Sequence, residues 1–161
     1  MWRRQRHVNL AFFPSCVCVK GYGSIVSASG EAPAVPGALR VLIVDDNAPG
    51  AQTTGWMVEM MDFDYRLTHT PEAGIAAAID YRPHIVLLDI GLPGMNGFEL
   101  CARLRTLPEL SGTVFIAQTG WAQEEYRHRA AEAGFHHFLA KPVAFETLEA
   151  LLKGVADRMR S

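Results

Sequence analysis

From Leu39 onward the chain alternates short, β-branched apolar runs with longer segments whose apolar residues recur every three or four positions. That alternation is the sign of a parallel sheet built from βαβ units. It predicts strands at Arg40 to Val44, Tyr65 to Thr68, Ile85 to Asp89, Thr113 to Gln118 and Phe135 to Ala140, with five helices. The punctuation agrees. Thr70-Pro71-Glu72 supplies a helix cap, a proline at the first helical position and an early acid for a segment ending near Tyr81, and Gly134 reads as a helix stop. Glu146, Leu148, Leu151, Leu152 and Val155 begin a last amphipathic helix.

At 161 residues and 49% hydrophobic content, the chain holds one domain with a real core. Residues 1–38 differ from the rest: a basic start at Arg3, Arg4 and Arg6, a broken apolar patch, then Gly/Ser/Ala/Pro-rich sequence. They are expected to be a tail and linker, poorly ordered, ahead of a folded unit at 39–159. Asn9, Pro14 and Ser15 interrupt what would be the apolar part of a secretory signal. A formal net charge of -2 gives no bulk field for holding nucleic acid or an acidic membrane surface. No apolar run approaches the roughly 20 residues of a membrane span, so a soluble, cytoplasmic domain is expected. Cys16, Cys18 and Cys101 are too few and too poorly spaced for a disulfide scaffold or a metal knuckle, and are read as bland thiols.

In an open parallel sheet, ligands bind beyond the carboxyl ends of the strands. Those ends carry Asp45-Asp46, Asp89, Gln118-Thr119-Gly120 and Ala140-Lys141-Pro142. Singly, each has a plain structural use: Asp45-Asp46 as a helix cap, Thr119 as turn chemistry, Lys141 as a solvated cation. Asp89 is harder to dismiss, because an unpartnered charge closing the run Ile85-Val86-Leu87-Leu88 would be costly. Jointly, three carboxylates, a hydroxyl and an ammonium converge. Such acids stay ionised most simply around a hard divalent cation, and Mg²⁺ suits a few carboxylates plus phosphate oxygens. Lys141 and Thr119 can then serve a phosphoryl group in transfer.

Four motifs resemble the receiver domain of bacterial response regulators: Val41-Leu42-Ile43-Val44-Asp45-Asp46-Asn47, Leu88-Asp89-Ile90-Gly91-Leu92-Pro93-Gly94-Met95-Asn96-Gly97, Gln118-Thr119-Gly120 and Phe138-Leu139-Ala140-Lys141-Pro142. The resemblance runs from Leu39 to Met159. It implies a flavodoxin-like, doubly wound α/β fold with a five-stranded parallel sheet of order 2-1-3-4-5 and five helices. It implies Asp89 as phosphoacceptor, Asp45, Asp46, Asp89 and the Gly91 carbonyl around Mg²⁺, and Lys141 and Thr119 on the phosphoryl oxygens. Thr119 and Phe138 would form a switch pair, the Lys141-Pro142 bond would be cis, and the fourth helix, fifth strand and fifth helix would be the readout surface. The implied partners are a sensor histidine kinase or histidine phosphotransfer domain and a downstream protein. The chain would be a signalling phosphoacceptor that assists its own phosphorylation and dephosphorylation, not an enzyme. Gly91 and Trp121 occupy places that tune phosphoryl lifetime in this family.

Two contexts stay open, a free-standing regulator and a receiver of a hybrid sensor kinase. Thr119-Gly120-Trp121 through Gly134-Phe135-His136-His137 resembles the latter. An aspartate-nucleophile phosphatase would need a second Asp two residues after Asp89, where Gly91 stands, and a flavin module would need a phosphate-cradling loop where Asp45-Asp46 stands. No helix-turn-helix segment is read after Met159, so direct nucleic-acid binding is not expected. His69, His128, His136 and His137 are read as surface or loop residues.

Overall fold

A computed structural model describes residues 38–121 and 123–161 of the chain. The expected tail and the pair Cys16 and Cys18 therefore lie outside the described residues. The elements run β1 (Arg40–Val44), α1 (Ala48–Met60), β2 (Asp64–Thr68), α2 (Pro71–Tyr81), β3 (Ile85–Asp89), α3 (Gly97–Arg105), a 3-10 turn (Pro108–Leu110), β4 (Val114–Thr119), α4 (Glu124–Ala133), β5 (His137–Ala140) and α5 (Phe145–Arg160). All strand pairs are parallel and the order is β2-β1-β3-β4-β5, the flavodoxin-like arrangement expected from the sequence.

Period-two alternation assigns each strand residue to one of two cores. Val41, Ile43, Leu87, Ile116 and Leu139 pack with Ala51 and Val58 of α1 and Leu148, Leu152 and Val155 of α5. Leu42, Val44, Leu88, Phe115 and Ala117 pack with Ala78 of α2, Leu100 and Leu104 of α3 and Ala130 of α4. β3 is buried along its whole length, as a central parallel strand covered on both faces must be. Cys101 lies in that second core, where burial pushes its thiol up to about 12.

Thr70 caps α2 by accepting from the Ala73 N–H, and Gly134 ends α4 in the left-handed region at φ 97°. Three strands differ from the expected bounds. β2 starts one residue earlier, at Asp64, whose N–H donates to the Leu39 carbonyl. Thr113 donates from its main chain to the Leu110 carbonyl and from its hydroxyl to the Pro83 carbonyl, so β4 starts one residue later and runs on to Thr119. β5 starts at His137, not Phe135, because Gly134 turns the chain and the Phe135 N–H still closes the helix on the Ala130 carbonyl.

His136 lies exposed in the bend before β5, in keeping with its reading as a surface or loop residue, and it also joins the sheet. Its N–H donates to the Phe115 carbonyl at 2.8 Å, and its ring Nδ1 accepts from the Phe115 N–H at 3.0 Å. His84 repeats the arrangement at the start of β3, donating to the Arg40 carbonyl at 2.9 Å and accepting the Arg40 N–H on Nδ1 at 3.0 Å. At the amino end of the sheet, each ring supplies the acceptor that a longer strand would have provided. Among the described residues no helix is long and apolar enough to cross a membrane.

Candidate functional site

β1, β3 and β4 deliver their last residues to one edge of the sheet. Asp45 follows β1 and is 1% exposed, Asp89 closes β3 at 8%, and Thr119 closes β4 at 1%. Asp46, one residue further on, points to solvent. One oxygen each from Asp45, Asp46 and Asp89 falls within 4.8 Å of the others.

The turns that hold these acids are built from their own side chains. Asp45 Oδ1 accepts the Asn47 N–H at 2.9 Å, and Asn47 Oδ1 then accepts the Gly50 N–H at 3.0 Å to cap α1. Asp89 Oδ1 accepts the Gly91 N–H at 3.1 Å. Asn96 starts α3 in a reciprocal capping box with Glu99. Gly97 lies hard against the strand end: a Cβ there would sit 2.4 Å from the Asp89 carbonyl oxygen and 2.7 Å from Ile90 Cα. A side chain there would have to displace the main chain of Asp89 and Ile90.

Lys141 reaches in from the loop after β5, with Nζ 2.7 Å from Asp45 Oδ2 and 3.1 Å from Asp89 Oδ2. Burial by itself would lower its pKa, but the Asp45 hydrogen bond and the charges of Asp89 and Asp45 outweigh that and hold the ammonium above its ordinary value. Three carboxylates against one ammonium leave the cluster negative. Its donors are all oxygens, two of them buried, which is the set a hard cation such as Mg²⁺ prefers.

Beside this cluster, a cleft of 250 Å³ is lined by Asp89, Gly91, Thr119, Gly120, Trp121 and Lys141. The Thr119 hydroxyl oxygen accepts the Trp121 N–H at 3.0 Å, and the Thr119 carbonyl accepts the Lys141 N–H at 2.7 Å. The Lys141-Pro142 peptide is cis, as the resemblance implies.

Asp45, Asp46, Asp89, Gly91, Thr119 and Lys141 are thus brought together. Phe138 is not among them. It pairs with Ala117 in register, packs half-buried against the α2–α3–α4 side of the sheet, and carries the Arg127 guanidinium 5.1 Å above its ring. Two further residues approach the site, one of them, Gln118, already placed at a strand end by the sequence. His69 Nδ1 lies 2.8 Å from the Asp45 carbonyl oxygen, and Gln118, 1% exposed, registers beside Asp89.

Residues 41–153 match the response regulator receiver domain. The chain belongs to that family. A stretch of 118 residues is 30% identical to the phosphate regulon transcriptional regulatory protein PhoB of Pseudomonas aeruginosa, covering 73% of this chain and 52% of that protein. Over 115 residues the chain is 30% identical to the signal transduction histidine-protein kinase BarA of Escherichia coli, covering 71% of this chain but only 12% of the kinase. The chain therefore spans about half of one of these relatives and a small part of the other. A CheY-like receiver domain protein from Methanospirillum hungatei superposes with a TM-score of 0.69 at 27% identity, over 76% of this chain and 98% of that one. The receiver is thus a module of two-component signalling, found in its relatives both alone and within longer proteins.

Proposed function

We propose that Asp89 accepts a phosphoryl group from a phosphohistidine, with Mg²⁺ bound and with Lys141 and Thr119 on the phosphoryl oxygens. The observation that carries this reading is the convergence of Lys141 on Asp45 and Asp89 at 2.7 and 3.1 Å, in a cleft that Thr119 also lines. In the transfer, an Asp89 carboxylate oxygen forms the new P–O bond. The P–N bond to the donor imidazole breaks, and its electron pair leaves with the nitrogen. Lys141 passes from its carboxylate partners to an equatorial phosphoryl oxygen, and the Thr119 hydroxyl donates to another, where charge is spread in the transition state. Asp45, Asp46, Asp89 and the Gly91 carbonyl would hold the cation, Asp45 through water. Bound Mg²⁺ supplies Lewis-acid neutralisation of oxygens that the acidic cluster would otherwise repel.

Turning Thr119 inward gives up its bond from the Trp121 N–H and vacates space that the Phe138 ring can enter. Phosphorylation then shifts a population already accessible to the free protein, and α4, β5 and α5 present the surface that a downstream protein reads. Arg127 over Phe138 links α4 to β5 on that face. The donor is a sensor histidine kinase or a histidine phosphotransfer domain. We read the chain as a cytoplasmic phosphoacceptor, not a turnover enzyme, with no direct contact to nucleic acid or membrane.

Intact-protein mass spectrometry after incubation with acetyl phosphate and Mg²⁺ tests this reading. One phosphoryl group is expected on the wild type, and none on Asp89→Ala or with a chelator. Folded wild type that stays unmodified with both acetyl phosphate and a phosphohistidine donor would overturn it.

A further inference from the structure

A second cleft, of 330 Å³, opens on the other side of Lys141, between α1 and the turn that leads from β5 into α5. Its size falls at the lower end of small-molecule pockets, roughly 300 to 1,000 Å³. Gln118 lies at its floor, 1% exposed, and its Nε2 is buried with no acceptor.

Its polar neighbours are already engaged. In register, Gln118 stands between Asp89 and the apolar Leu139. Asp45 accepts the Asn47 N–H on one oxygen and Lys141 on the other. The hydroxyls of Thr53 and Thr54 donate to the Pro49 and Gly50 carbonyls, which leaves their oxygens as acceptors only. A buried amide donor without a partner costs free energy, and native structures retain few of them without a reason.

We propose that this cleft is a binding site for a small neutral carboxamide. Its carbonyl oxygen accepts from Gln118 Nε2, its N–H donates to a threonine hydroxyl oxygen on α1, and its short apolar body lies against Met57, Pro142 and Val143, which also line the cleft. A carboxylate or phosphate is disfavoured because Asp45 lines the same cleft with a negative charge that Lys141 already shares with Asp89. A carboxamide also fits either orientation of the Gln118 amide, since it offers both a donor and an acceptor. Because Lys141 borders both clefts and bonds to Asp45 in the second, an occupant here biases the position of the lysine and so the rate at which Asp89 is phosphorylated. That consequence rests on the function proposed above; the binding itself does not.

The test uses the full chain without phosphodonor or Mg²⁺, so its outcome is independent of the phosphorylation assay. Amide-resolved NMR is followed while isobutyramide, and separately isobutyrate, is added at millimolar concentration. Saturable shifts of the Gln118 side-chain amide and of Thr54 are expected with isobutyramide, with affinity at least about tenfold lower for isobutyrate and for Gln118→Leu. Gln118→Met, similar in length and also lacking the donor, gives the same comparison if the leucine variant is not folded. Unchanged isobutyramide affinity in these variants would overturn the proposal. So would a Gln118 amide that shows contacts to an ordered water only and no saturable response to isobutyramide.

Discussion

Lys141 Nζ is nearer to Asp45, at 2.7 Å, than to Asp89, at 3.1 Å. The lysine is thus a structural counter-ion for a nearly inaccessible carboxylate as well as a candidate ligand for the phosphoryl group. Lys141→Met is expected to lower stability by about 2 kcal/mol in chelator, because Asp45 is left buried without its cation. Added Mg²⁺ should recover much of that loss by mass action, as calorimetry with and without the metal would show. Equal melting temperatures for variant and wild type in chelator would refute the counter-ion role.

The glycine packed against the end of β3 makes a separate prediction. Gly97→Ala forces a methyl group against the Asp89 carbonyl and Ile90, and overpacking of this kind costs about 1–3 kcal/mol. Chemical denaturation should register that loss, and phosphoryl uptake should fall with it because the displaced atoms belong to Asp89 itself. A variant as stable and as readily phosphorylated as wild type would mean that the loop yields freely.

Trp121 is 49% exposed and lines the cleft shared by Asp89, Thr119 and Lys141. Its emission should change on addition of Mg²⁺ and again with a phosphodonor. Trp56 stands on the exposed side of α1 and does not line that cleft, so Trp56→Phe should keep the response and Trp121→Phe should lose it. Loss of the response in Trp56→Phe alone would place the reporter elsewhere.

Acid should destabilise the fold through His84 and His136 before most carboxylates titrate. Burial, and then Arg40 beside His84 and Arg105 beside His136, lowers both pKa values from the ordinary 6.5. The unfolded chain therefore binds these protons more readily. Stability is fully present above the unfolded value and is lost as pH falls through the folded ones. Urea midpoints should drop as pH falls below about 6.5, and less steeply in a His84→Asn/His136→Asn double variant, whose amide oxygens can accept without titrating. Parallel pH profiles for the two proteins would assign the acid sensitivity to other groups.

How much of this was legible beforehand follows from which features are local. Val41 to Val44 alternate between the two cores, and Thr70, Pro71 and Gly134 mark helix ends through their own backbone chemistry, so one sequence suffices to place them. The acids and the lysine were found because strand ends and motif order locate them. Phe135 was placed in β5 too early because its apolar character reads as strand, while its N–H is spent on the preceding helix. His136 is a surface residue, but its sheet role is not legible, because a ring accepting a main-chain N–H from 21 positions away leaves no mark in its neighbours. Gln118 was noticed only as part of a motif. Whether its amide finds a partner depends on α1 and the turn after β5, which are remote in the chain.

The repeated histidine joint also sets the height of the site. Both rings fix strand pairs at the amino end of the sheet, His84 aligning β3 against β1 and His136 aligning the approach to β5 against β4. A slip by one residue would pull a ring off its N–H and turn a whole strand inside out. From those zero marks, β1 and β3 each count five residues, so Asp45 and Asp89 arrive level with one another. The precision of an acidic cluster at one rim is thus gauged by two neutral rings at the other.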